Sequence, residues 1–258
     1  MDLKLKDQRF VICGASSGLG QATARQLLIE GANVVLVARR GDEMSTYFRH
    51  FTDQIEIIQG SVLESKTLES IESTIKRKKT HGILLNAGGP PTGSPLTTSM
   101  DDWDAAWQLV MRWKIDLCLK VAPLFRDQQY GRIIFIESQS VKQPLPVLAL
   151  SNSFRAGVVG FAKSLALEVA KDGVTVNVIA PGSHDTPAIQ RVIEYTSKIQ
   201  TVTQEKARER MEASIPVGRM GKAEELASLA SWLLSEHSSY ITGQTISHDG
   251  GVITGLFG

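Results

Sequence analysis

The sequence predicts an α/β protein, a single domain built on a doubly wound parallel sheet of seven strands. Three observations predict it. Seven short runs of Val, Ile and Leu are apolar almost without interruption, as strands buried on both faces must be. Helix-period segments alternate with these runs along the whole chain, and that alternation is the pattern of right-handed parallel crossovers. A glycine-rich turn joins the first strand to the first helix, where such a sheet places a ligand.

The first strand is "RFVIC" (9–13), and "SGLGQATARQLLIEG" is the helix after it, with Gly31 as its C-terminal cap. "NVVLV" (33–37) and "IEII" (55–58) follow as strands, then "LESKTLESIESTIKRKK" as a helix and "GILLN" (82–86) as the fourth strand. The long stretch 101–128 reads as helix, and "RIIFIES" (132–138) as the fifth strand. "SFRAGVVGFAKSLALEVAKDG" is a helix that stops at Gly173, before the strand "VTVNVIA" (174–180). Residues 187–214 interrupt the alternation: they are helical but weakly apolar, which predicts a substrate lid near the carboxyl ends of the strands. "KAEELASLASWLLS" and the strand "GQTIS" (243–247) complete the set. No linker, repeat or low-complexity segment divides residues 1–258.

Composition narrows the function classes. A chain of 258 residues is long enough for a well-buried core, and 42% hydrophobic with 21% charged residues is ordinary for a soluble protein. A net charge of +1 gives no reason to expect nucleic acid or an anionic membrane as partner. No apolar run approaches the roughly 18 residues of a membrane span. The start, "MDLKLKDQRF", lacks the apolar core of a signal peptide, so a cytoplasmic location is expected. Cys13 and Cys118 lack metal-ligand spacing; buried free thiols in a reducing compartment are expected, and no metal site.

The segment "CGASSGLG" (13–20) spaces Gly14, Gly18 and Gly20 as G-x-x-x-G-x-G between a strand and a helix. Glycines let the backbone turn sharply and approach a pyrophosphate, and the helix N-terminus supplies amide donors and a positive dipole. After the second strand, no acidic residue near Ala38 is available for a ribose 2′-hydroxyl. Arg39 and Arg40 follow instead, which suits a 2′-phosphate, so NADP(H) is expected over NAD(H). A tight turn without ligand and a solvated basic loop are the alternatives these residues leave open.

Five motifs in order resemble the short-chain dehydrogenases/reductases, a Rossmann-type family. They are "CGASSGLG", with Cys13 where the family has Thr; "NAGG" (86–89); "GRIIFIES" (131–138); "NVIAPGSHDT" (177–186); and a tail (215–251) like that of bacterial 3-oxoacyl-carrier-protein reductases. The resemblance covers nearly the whole chain. It implies that Gly14, Ser16, Ser17, Gly18, Leu19 and Gly20 line the pyrophosphate, and that Asn86, Ala87 and Gly88 lie beside the adenosine ribose. Pro181, Gly182 and Thr186 would hold the nicotinamide end. Ser61 stands where the family usually has an Asp for the adenine. The resemblance also implies a homotetramer, paired through "SFRAGVVGFAKSLALEVA" and "KAEELASLASWLLS".

The family's usual active site is Asn, Ser, Tyr and Lys. Ser138 matches the Ser. The Tyr and Lys positions are Ser151 and Arg155, within "LALSNSFRAG" (148–157), and the Asn falls near Val110. Arg155 keeps a permanent charge and several donors but cannot release a proton, and a Ser hydroxyl is a poor general acid. Tyr195, His184 and Lys142 are the substitutes within reach of such a cleft; Tyr130 belongs to the opposite edge of the sheet, and Tyr47 and Tyr240 lie outside the cleft segments. "LSNSFR" and "LNAGGPPTG" also resemble a minority branch of the family with "SN-x-x-R" in place of Tyr-x-x-x-Lys. Two readings follow. One is an NADP(H)-dependent reductase of a carbonyl compound, such as a 3-oxoacyl thioester, with catalytic positions Ser138, Ser151 and Arg155. The other is a non-enzymatic dinucleotide-binding protein, a sensor or scaffold.

Overall fold

A computed structural model describes residues 1–256. Seven strands form one sheet: β1 (Arg9–Cys13), β2 (Asn33–Ala38), β3 (Ile55–Gln59), β4 (Gly82–Leu85), β5 (Gly131–Ile136), β6 (Val174–Pro181) and β7 (Thr245–His248). Their spatial order is β3-β2-β1-β4-β5-β6-β7, and every pairing is parallel. The chain reverses its winding direction between β1 and β4, which opens a crevice at the carboxyl ends of these strands.

Alternate residues of each central strand face opposite helix layers. Val11, Cys13, Val35, Ile83 and Ile133 pack against α3 (Ser65–Arg77), α5 (Trp113–Asp127) and α6 (Ala149–Val169). Phe10, Ile12, Leu36, Leu84 and Ile134 pack against α1 (Gly18–Ile29), α2 (Gly41–Tyr47) and α9 (Ala223–Leu234). Both thiols are free and buried, and burial pushes the Cys13 thiol up to about 12. Gly31 and Gly173 end their helical segments with φ of 81° and 74°. No described helix is long and apolar enough to cross a membrane.

Two segments depart from the pattern read in the sequence. The stretch 101–128 is helical but not one α-helix: α4 (Met100–Trp107) passes into α5 through a π-helical turn, Gln108–Arg112. The Trp113 indole donates to the Leu109 carbonyl at 2.9 Å across this turn. The segment 187–214 folds as two helices, α7 (Pro187–Gln200) and α8 (Gln204–Ala213), separated at Thr201 with φ 52°. They enclose a small core of their own, Ile193, Ala207, Ile215 and Met220.

Candidate active site

A cleft of about 680 Å³ lies over the carboxyl ends of β2, β1, β4 and β5. The turn after β1 forms its centre. Gly14 has φ +70°, and a β-carbon there would stand 2.7 Å from the Asn86 amide nitrogen and carbonyl oxygen. A β-carbon on Gly20 would overlap the Gly14 carbonyl. Only glycine fits at both positions, so the turn closes tightly enough for its backbone to meet a ligand directly. No side chain caps the N-terminus of α1, and its first turn has no acidic residue. Its amides and dipole therefore remain available to an anion.

Ser16, Ser17, Gly18 and Leu19 line this part of the cleft, with Asn86, Ala87 and Gly88 opposite. Gly20 and Gly182 stand behind the wall as packing positions: a β-carbon on Gly182 would meet the Asp249 backbone at 2.8 Å. Arg39, Arg40 and Ser61 border the end over β2. Arg40 is held by Glu43 at 2.6 Å and by the Ser16 hydroxyl at 3.1 Å. The Arg39 guanidinium is exposed and has no partner among the described residues. These groups fit a dinucleotide with a 2′-phosphate: a tight turn that only glycine closes at Gly14 and Gly20, an open helix N-terminus, and a free cation at the ribose end.

The loop after β6 supplies Pro181 and Thr186 to the cleft, and α7 adds Pro187, Ala188 and Arg191. The first turns of the segment 187–214 thus border the cleft. Tyr195 does not line the cleft. His184 turns away from it: its Nδ1 lies 3.1 Å from the Gly182 carbonyl, and its Nε2 is 2.9 Å from His248 Nδ1. A carbonyl only accepts, so Nδ1 carries the hydrogen, and in the neutral ring Nε2 accepts from His248. Burial holds the His184 pKa below its usual value. Tyr130 packs edge-on against His81, beside the amino end of β5 and far from the cleft.

The floor over β5 differs from what the motifs imply. Arg155 lines the cleft, whereas Ser138 and Ser151 do not. Ser138 accepts from the Ser140 amide at 3.1 Å. Ser151 Oγ accepts from Arg155 Nε at 3.0 Å, one helical turn away. Arg155 Nη1 reaches the Glu137 carbonyl at 3.1 Å and the Glu137 carboxylate at 3.0 Å. Glu137 is bound on its other oxygen by Lys114 from α5. Both side chains of that pair are almost wholly buried, and burial lowers the Lys114 pKa, opposed by the Glu137 charge. Val110, on the π-helical turn, is buried and apolar.

Sequence reasoning missed Lys114, Glu137 and Arg191. Two of these were marked in the sequence. Glu137 closes a run that is apolar on both faces, and Lys114 lies at helical spacing with Leu117, Cys118 and Val121, on a buried stripe. An ionisable residue in such a place needs a partner, and each is the other's.

Comparison with known proteins agrees with this geometry. A family model described as enoyl-(acyl carrier protein) reductase matches residues 14–253. The NADPH-dependent reductase BacG of Bacillus subtilis is 29% identical over 252 residues, 93% of this chain and 95% of the relative. The 3-oxoacyl-[acyl-carrier-protein] reductase FabG of Thermotoga maritima is 29% identical over 260 residues, 97% of this chain and all of the relative. Among solved structures, L-sorbose reductase from Gluconobacter frateurii, complexed with NADPH and L-sorbose, superposes with a TM-score of 0.91 at 27% identity, covering 99% of this chain and 100% of that one. With the glycine turn, the seven-stranded order and a model match over nearly its whole length, this chain belongs to the short-chain dehydrogenase/reductase family.

Proposed function

We propose that the protein is an NADP(H)-dependent reductase of a carbonyl compound. The observation that carries this reading is one continuous cleft that joins the glycine cradle and the free Arg39 guanidinium to the Arg155 floor. The names of its relatives, NADPH-dependent reductases and ketoacyl reductases, support the same reading. The bound cofactor would supply the hydride. The chain would hold its pyrophosphate on the α1 amides and its 2′-phosphate on Arg39, with Arg40 beside it. Pro181 and Thr186 would position the nicotinamide end.

The proton is handled differently from the family's usual scheme. No Tyr or His lines the cleft among the described residues, and the one carboxylate, Glu137, is already occupied by two cations. Arg155 would therefore act by its fixed charge. Its third nitrogen, Nη2, would donate to an oxygen that gains negative charge, while water supplies the proton. Such preorganised donors are worth several kcal/mol in a water-poor site (roughly 3–4 for one donor). Ser151 and Ser138 hold the floor and the adjoining loop in position.

The same absence of an acid favours a second reading, a dinucleotide-binding protein without turnover. Two measurements separate them. NADPH and NADH are titrated by fluorescence, and purified protein with NADPH is assayed against ketones, oxo acids and 3-oxoacyl thioesters. Tight NADPH binding with turnover of any of these supports the reductase. Tight binding with no turnover supports the second reading, and no binding removes both.

A further inference from the structure

The cleft floor holds a charge that the chain does not balance. Lys114, Glu137 and Arg155 form one ion unit of two cations and one anion, with residue exposures of 2%, 4% and 8%. The Glu137 carboxylate is shared, one oxygen on Lys114 and the other on Arg155. The thiols near Lys114, Cys13 and Cys118, are pushed up by burial and contribute no anion at neutral pH. Glu137 is the only carboxylate lining the cleft among the described residues, whereas four arginines line it. Of these, Arg40 is matched by Glu43, and Arg191 on α7 has no ion-pair partner among the described residues. Unmatched charge at this depth is costly, and an anion from outside relieves that cost.

Arg155 is the member of the unit that reaches the cleft. Its Nε and Nη1 are fixed by Ser151 and Glu137. Its Nη2 has no partner among the described residues and lies beside Gly89 on the cleft wall, 3.2 Å from where a β-carbon would stand. Nη2 carries two hydrogens, so a planar donor held on two sides can give one to a carboxylate oxygen and the other to the reacting carbonyl oxygen beside it. It stands over β5, away from the Arg39 end over β2 and its phosphate, and the neutral ribose hydroxyls that the family's Lys meets at this position would leave the unit's charge unbalanced.

We propose that Arg155, backed by Lys114 and Glu137, is an anion site at the substrate end of the cleft, and that the compound reduced carries a free carboxylate. This rests on the reductase reading and narrows its substrate to an oxo acid, against the neutral thioester that ketoacyl-reductase relatives suggest. Lys114 is a positioning residue here. It never touches the ligand but sets the net charge that the ligand meets, and Glu137 orients the guanidinium.

The experiment uses probes that cannot be reduced. NADPH-loaded protein is titrated with butyrate and with butyramide, similar in shape and different in charge, and cofactor fluorescence is followed. Butyrate binds on the order of tenfold more tightly if the unit presents one positive charge. Lys114→Met makes the unit neutral and brings the two affinities to within about twofold. Adding Glu137→Gln to Lys114→Met returns the charge to one and restores the preference. A purely structural role for the unit would not give loss followed by recovery. Equal or undetectable binding of the two probes by the parent overturns the proposal, and so does full preference in Lys114→Met. The titration is repeated without cofactor, followed by tryptophan fluorescence, to which Trp113 beside Lys114 contributes. Failure of NADPH to bind would overturn the reductase reading, and the anion site would still be tested by itself.

Discussion

Replacing Glu137 by Gln removes the only anion between two buried cations. Arg155 Nη1 lies 3.0 Å from the carboxylate, and Lys114 bonds its other oxygen. Breaking a buried ion pair by deleting one partner costs about 3–5 kcal/mol, because the other charge is left unpaired. Lys114 sets a ceiling on that cost, since it can shed its proton. Moving its pKa from the ordinary 10.5 down to a working pH of about 7 corresponds to roughly 5 kcal/mol, and burial has already covered part of that distance. The expected loss is therefore about 3–5 kcal/mol, a large part of the 5–15 kcal/mol typical of a domain. Urea unfolding, followed by tryptophan fluorescence, measures it as a lower midpoint at unchanged slope. Two internal controls follow. The loss shrinks near pH 9, where the stranded Lys114 gives up its proton more cheaply. The double variant Lys114→Met, Glu137→Gln regains at least half of the loss, because the stranded ammonium is gone. A Glu137→Gln protein within about 1 kcal/mol of the parent would refute the reasoning. So would a double variant no more stable than Glu137→Gln alone.

Arg39→Ala is expected to remove most of the preference for NADPH over NADH in a binding titration; one charge-assisted phosphate contact is worth roughly 1.5–3 kcal/mol, or about ten- to a hundredfold. Acidification should destabilise the protein early. His184 and His81 are both held below the ordinary 6.5 by burial, so the unfolded chain binds protons near that pH that the folded chain refuses. Stability therefore rises with pH up to about 6.5 and falls below it, and a melting temperature unchanged between pH 7.5 and 5.5 would contradict this. His184→Gln, which can still donate to the Gly182 carbonyl, should flatten part of that fall. A tetramer is expected by light scattering at micromolar concentration, consistent with exposed Leu119 on α5 and Leu167 on α6; a monomer would remove that proposal.

The sheet was legible because its central strands are buried on both faces: "VVLV" (34–37) and "IIFI" (133–136) admit no polar residue and stand out against any helix period. The glycine turn was legible for a steric reason, since Gly14 and Gly20 mark points where a β-carbon cannot fit. The π-helical turn at Gln108–Arg112 was not, because one extra residue in a helix leaves the hydrophobic period on either side looking continuous. The break at Thr201 was hidden for a similar reason, within a segment of weak apolar contrast. The ion unit lay beyond local reading. Lys114 and Glu137 are 23 residues apart and meet only because α5 packs on β5. Reading Ser151 and Arg155 against the family positions found the missing acid but not what stands in its place, since neither position refers to Glu137.

The π-helical turn also has a consequence for how this chain can vary. In regular α-helix one inserted residue would advance the phase of all that follows by about 100°, and a π turn absorbs that residue by widening. Downstream of it, Lys114, Leu117, Cys118, Val121 and Phe125 share the azimuth that faces the sheet. Deleting one residue from 108–112 would let the wide turn close into regular α-helix with that stripe, and the Lys114 ammonium, still facing the sheet. The side chains of Gln108 and Arg112 are exposed, so this turn is the place in the helix where the chain can change length by one residue. Within the regular turns of α5 the same change would swing part of the stripe away from the sheet.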